Sequence, residues 1–281
     1  MTGSVVLGLG GLPGEFVERL QAIQQAGFQG VELDAHDLAK SSTSIRDGVR
    51  AVEESGLKVS AFKELRDFTG HVGHVFGYRM ELAKTNLDLM ARLGCKLLIV
   101  NPSAFNKTSH ISDLVDQLRA VATLAMKRGI RIGYRPLPWS DHAYDLASAW
   151  KLIEQAANAN LGLVVDSFQD LTELDISKVF QQVPAEKVFL MRVSDFKMSS
   201  LHILEDKIEV DGHQRFLPGA GNLTADLAGL IKQSQLAGYE GDIVLSVNDE
   251  SYRRKGLPVT MELTSEARDW VLQQLNTASD D

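Results

Sequence analysis

The sequence holds one cysteine, Cys95, among 281 residues, so no intrachain disulfide can form. No apolar run approaches the roughly 18 residues needed to cross a bilayer, which argues against a membrane protein. Positive charge is in the minority: 29 Lys and Arg stand against 37 Asp and Glu, a formal net charge of −8. Without a basic cluster, such a chain is a poor candidate for nucleic-acid binding. The glycines of GLGGLPG (8–14) are wrongly spaced for a Gly-x-Gly-x-x-Gly turn, and no Gly-Lys-Ser/Thr phosphate loop occurs. The opening MTGSVVLGLGGLPGEF has no basic start and no long apolar core, so it reads as a first strand rather than a signal peptide, and a cytoplasmic location is expected. No linker or low-complexity stretch divides the chain, so 1–281 is read as a single domain with a tail, 276–281, expected to fray.

What the chain does have is a repeat. Short apolar runs at 5–9, 30–34, 58–62, 96–101, 130–134, 161–166, 188–193 and 242–247 alternate with longer amphipathic stretches. A glycine recurs just before the runs, as in AGF (26–28), SGL (55–57), LGC (93–95), RGI (128–130) and AGY (237–239), where a helix end needs a left-handed residue. Strands that are apolar on both faces and alternate with helices form parallel sheets. Two architectures take this count, a closed (β/α)8 TIM barrel or an open doubly wound sheet. The missing dinucleotide turn favours the barrel. One connection, 196–223, shows no clear helix and is rich in polar residues, and it is expected to be a long loop or lid after the seventh strand.

In a barrel, the C-terminal strand ends share one mouth. Those positions carry Glu32 and Asp34, Glu64 and Arg66, Asn101, Arg135, Asp166, Arg192 and Asp195, and Ser246 and Asn248, with His213 and Arg215 coming from the lid. The stretches ELRDFTG (64–70), IGYRPLPW (132–139), GLVVDSFQDL (162–171), VPAEKVFLMRVSD (183–195), HQRFLPGAGNL (213–223) and GYEGDIVLSVNDESYRR (238–254) follow in order over nearly the whole chain. Together they resemble the xylose-isomerase-like TIM barrels, the sugar phosphate isomerase/epimerase group, and within it the bacterial 3-dehydroshikimate dehydratases.

The resemblance implies a divalent metal held by a Glu after strand five, an Asp after six, a Gln or His after seven and a Glu after eight. Here those positions are Arg135, Asp166, Arg192 and Ser246, and only the Asp is kept. The histidine that the resemblance implies beside the metal is Gln169 here. Arg66, His142, His213 and Arg215 match positions that line the family's substrate pocket. A guanidinium has no lone pair to give and stays protonated, so Arg135 and Arg192 cannot be ligands. The expectation is therefore no metal and no other cofactor, with positive charge supplied by arginine.

Two readings follow. In the first, Arg135, Arg192, Arg66 and Arg215, with His142, Gln169 and Ser246, bind a small anionic hydroxylated metabolite. The resemblance implies a lyase or isomerase that removes a proton beside a carbonyl. Arginine would stabilise the oxyanion, and His213, or else Asp166, would be the base. In the second, the chain is a non-catalytic relative that binds a metabolite or serves as a partner subunit. Set against a functional pocket of either kind, the purely structural alternative is that Arg135, Asp166 and Arg192 form an ion-pair plug in an abandoned pocket. Association into a homo-oligomer is compatible with either. Cys95, at the start of the fourth strand, is expected to be a small core residue.

Overall fold

The repeating unit is helix, glycine, strand, and the backbone gives the reason. Gly56 follows the helix Ile45–Ser55 with φ 67° and donates its N–H to the Glu53 carbonyl. Gly129 follows Ile111–Met126 with φ 62° and bonds to the Met126 carbonyl at 2.9 Å. A residue with a Cβ resists this left-handed turn, so glycine lets each helix stop and the chain re-enter the sheet.

A computed structural model describes residues 3–39, 44–104, 109–168, 179–197 and 203–277. Its strands are β1 (Val5–Gly8), β2 (Gly30–Leu33), β3 (Lys58–Thr69), β4 (Leu97–Pro102), β5 (Arg131–Tyr134), β6 (Leu161–Asp166), β7 (Val188–Val193), β8 (Gln214–Arg215), β9 (Ile243–Leu245) and β10 (Asn248–Asp249). The first seven and β9 close a parallel barrel in the order β1-β2-β3-β4-β5-β6-β7-β9, with helices between strands. The expected (β/α)8 barrel is the observed fold. The two short strands β8 and β10 pair antiparallel above it.

The barrel interior is filled by Val6, Ala61, Leu97, Ile99, Val164, Phe189, Leu190 and Val244. Side chains alternate along a strand, so the residue two positions further on also points inward, one layer higher. Ile99 is followed by Asn101, Val164 by Asp166, Leu190 by Arg192 and Val244 by Ser246. The polar mouth is thus the next layer above an apolar floor.

Two elements differ from expectation. β3 does not stop at residue 62. It runs on to Thr69, with register shifts against β4 between Phe62 and Leu65 and between Leu65 and Thr69. Glu64 and Arg66 therefore lie within this strand, on a wall that rises past the rim. The 196–223 connection contains a helix, Leu204–His213, which the sequence did not announce. Its only buried side chain is Val210, so it lacks the apolar stripe that marks a core helix. Residues 278–281 of the tail lie outside the described residues.

Candidate functional site at the barrel mouth

Register brings the strand-end residues to one level. Asp166 pairs with Arg192 across β6 and β7, and the Arg135 N–H bonds to the Val100 carbonyl at 2.9 Å. Three guanidinium groups converge on Asp166. Arg135 Nε lies 2.9 Å and Arg192 Nη1 3.0 Å from Oδ2, while Arg215 spans the group with Nη1 2.9 Å from Oδ1 and Nη2 3.2 Å from Oδ2. Ser194 Oγ accepts from Arg215 Nη1 at 2.9 Å, and Ser246 Oγ accepts from Arg192 Nη2 at 2.9 Å.

The arginines have further counter-charges. Arg192 meets Glu32 through Nη2 at 3.1 Å and Nε at 3.0 Å. Arg135 Nη1 stands 3.4 Å from Glu64 and its Nη2 2.7 Å from Asp211 Oδ1, an atom that Arg215 Nη2 also contacts. Lys63 Nζ lies 3.6 Å from Glu32, and Asn101 donates its amide to Glu64. The cluster therefore balances four cations, Lys63, Arg135, Arg192 and Arg215, against four carboxylates, Glu32, Glu64, Asp166 and Asp211. Side-chain exposure is 2% for Arg135, 4% for Arg192, 3% for Arg215 and 0% for Asp166, so these charges are stable only because each has a partner.

The fields act accordingly. Burial pushes the Asp166 carboxyl upward, but Arg215, Arg135 and Arg192 outweigh it and hold the pKa far below the usual range. Burial likewise opposes ionisation of Asp211 and Glu64. Arg135 and Arg215 hold Asp211 low, and Arg135, Arg192 and Arg66 hold Glu64 low. Burial disfavours the Arg135 cation, yet Asp211, Asp166 and Glu64 raise its pKa further.

Above the cluster opens a cavity of about 570 Å³, bordered by Arg66, Asn101, Trp139, Ile208, Asp211 and His213, among others. Arg66 is exposed and held in no hydrogen bond or ion pair among the described residues. His213, also exposed, ends the lid helix.

The sequence-predicted residues thus separate. Arg135, Arg192, Arg215, Asp166 and Ser246 are together but already paired with one another. Arg66 and His213 face the cavity. His142 is not among the cavity-lining residues, and its Nε2 is buried without a hydrogen-bond partner. Gln169 lies outside the described residues. The role of base suggested for Asp166 does not suit its environment, because a carboxylate gripped by three cations is a weak proton acceptor. Asp195 is structural: its carboxylate accepts from the backbone N–H groups of Phe196, Gly219 and Leu223 and from the Thr224 hydroxyl. Asp211 escaped the sequence reading. Its one signal is the i, i+4 spacing to Arg215, which acquires meaning only once a helix is known to precede Arg215.

Residues 20–273 match the family model described as xylose isomerase-like TIM barrel. The chain belongs to this family. A 3-dehydroshikimate dehydratase of Pseudomonas aeruginosa is 35% identical over 243 residues, covering 86% of this chain and 37% of that protein. The 3-dehydroshikimate dehydratase of Pseudomonas putida is 31% identical over 245 residues, with the same two coverages of 86% and 37%. The chain therefore spans little more than a third of the length of these curated relatives. Among solved structures, a xylose isomerase-like TIM barrel/4-hydroxyphenylpyruvate dioxygenase fusion protein superposes with a TM-score of 0.82 at 28% identity, over 98% of this chain and 45% of that one. An IolI protein with a bound zinc atom has a TM-score of 0.82 at 16% identity, over 97% of this chain and 99% of its own, and is a likeness of fold alone. No helix among the described residues is long and apolar enough to cross a membrane.

Proposed function

We propose that this xylose isomerase-like barrel binds a small hydroxylated carboxylate at its mouth without a metal, arginine charge standing where relatives place a cation. The observation that carries the reading is the state of Asp166. Both of its oxygens accept from guanidinium groups, and the positions that the family resemblance pairs with it as ligands hold Arg135, Arg192 and Ser246. Guanidinium groups donate no lone pair, and the Ser246 hydroxyl accepts from Arg192. This donor set does not fit a divalent ion, so the reading includes no metal step.

The cavity supports a ligand rather than a sealed plug. It is open, it carries the exposed cation Arg66, and apolar side chains of Trp139, Leu137 and Ile208 offer a face for a carbon ring. The relatives named 3-dehydroshikimate dehydratase indicate the class of ligand, a ring bearing a carboxylate and hydroxyl groups. Arg66 supplies planar paired donors suited to a carboxylate.

A thermal-shift titration with 3-dehydroshikimate in excess chelator tests this on wild type and Arg66→Ala. The expected result is stabilisation of the wild type that the variant loses. No stabilisation of the wild type at any concentration overturns the reading.

A second reading, a metal-independent lyase, rests on His213, an imidazole at the cavity edge placed to take a proton. It requires consumption of 3-dehydroshikimate in chelator that His213→Gln abolishes.

A further inference from the structure

The charge cluster has a consequence for how any anion enters it. Four cations face four carboxylates, and the strand-borne carboxylates Glu32, Glu64 and Asp166 are at most 8% exposed. Within this buried set the charges cancel, and Arg66, which acts on Glu64 from the cavity rim, is the one cation there without a close carboxylate contact among the described residues. Asp211 already takes the Nη2 donors of Arg135 and Arg215, so an incoming carboxylate reaches them only if a resident carboxylate gives them up.

The resident groups are not equally able to leave. Glu32, Glu64 and Asp166 stand on β2, β3 and β6, strands hydrogen-bonded on both sides within the closed barrel. Asp211 stands on the lid helix Leu204–His213, outside the barrel. Its side chain is the most exposed of the four carboxylates, at 15% against 8% for Glu64 and 0% for Glu32 and Asp166. Among the described residues, its C-terminal half is held by a few contacts. Val210 packs with Phe168, Phe196 and Leu223, Asn248 donates to the Gly212 carbonyl, and Arg215 Nε donates to the Asp211 carbonyl at 3.0 Å. Its other apolar side chains, Leu204 and Ile208, are both 41% exposed.

We infer that Asp211 is a built-in stand-in for the ligand carboxylate. It occupies the donors of Arg135 Nη2 and Arg215 Nη2, and a ligand carboxylate exchanges with it there, releasing the lid helix. The inference rests on the carboxylate reading of the mouth and adds to it a position for the carboxylate and a control on affinity. Arg66, at the cavity rim, draws the anion in, and exchange with Asp211 leaves the charge of the buried set unchanged while the anion binds.

The test measures binding of 3-dehydroshikimate by calorimetry, in chelator, to wild type and Asp211→Asn, with melting curves to confirm folding. Asparagine keeps the shape and removes the competing charge. The variant is expected to bind about tenfold tighter or more, the scale of ordinary coupling between competing groups. Binding to wild type that is unchanged or weakened by Asp211→Asn overturns the exchange and leaves the carboxylate reading standing. Absence of binding to either protein overturns both. Should the variant not fold, the wild type decides alone. The exchange predicts faster tryptic cleavage after Lys207, in the lid helix, when the ligand is added. Unchanged or slower cleavage of a wild type that binds the ligand contradicts it.

Discussion

Arg215 grips Asp166 with both terminal nitrogens, Nη1 2.9 Å from Oδ1 and Nη2 3.2 Å from Oδ2, although 49 residues separate them in the chain. This paired geometry leaves Asp166 little capacity for anything else, because Arg135 and Arg192 share its second oxygen. The aspartate at the hub of the mouth is therefore an electrostatic keystone of the cluster.

Removing that keystone takes a shared carboxylate from three buried cations, each left with its other partner, and leaves the buried set one positive charge in excess. Asp166→Ala is expected to destabilise the fold by about 3–5 kcal/mol, the range seen when one partner of a buried ion pair is deleted. Urea unfolding of the variant against wild type checks this. A loss below about 1 kcal/mol, typical of an exposed pair, contradicts the burial and pairing described.

The cluster also sets a pH dependence. Asp166, Glu64 and Asp211 all have folded pKa values held below the ordinary carboxylate value by their arginines, against the opposing effect of burial. The unfolded chain takes up these protons near pH 4, the folded protein only at lower pH. Their stabilising contribution is thus complete above the unfolded value and lost as pH falls through the folded ones. The urea midpoint should drop steeply below about pH 4.5. Asp166→Asn, with one of these groups removed, should show a shallower drop. A flat midpoint in wild type down to about pH 3 would sink this account.

Cys95 offers an independent check on the core. It is fully buried, and burial, the largest influence, pushes its thiol up to about 12, so almost no thiolate exists at neutral pH. A disulfide reagent should label the native protein only as fast as the chain opens, and at once in denaturant. Rapid stoichiometric labelling of the native protein is the opposing result.

Much of this was legible in the sequence for local reasons. Apolar runs and their glycines report on neighbouring residues, so eight strands could be read from them, the missing dinucleotide turn favoured the barrel over an open sheet, and each strand end named a residue of the mouth. Pairing within the mouth was not legible. The contact between Arg192 and Glu32 joins residues 160 apart, and nothing in either neighbourhood records the other. Glu32 and Glu64 were visible at strand ends, but their role as counter-charges depends on the barrel closing. The bulged extension of β3 and the lid helix were hidden for a related reason, since neither buries the regular apolar pattern from which elements are read. Asp211 was lost with that helix.

We propose above that arginine charge stands in the place of a metal ion. The most direct test is calorimetric titration of Zn²⁺ and Mn²⁺ into chelator-stripped wild type and Asp166→Asn. No stoichiometric binding that depends on Asp166 is expected. One equivalent of ion bound by the wild type and lost in Asp166→Asn would contradict it.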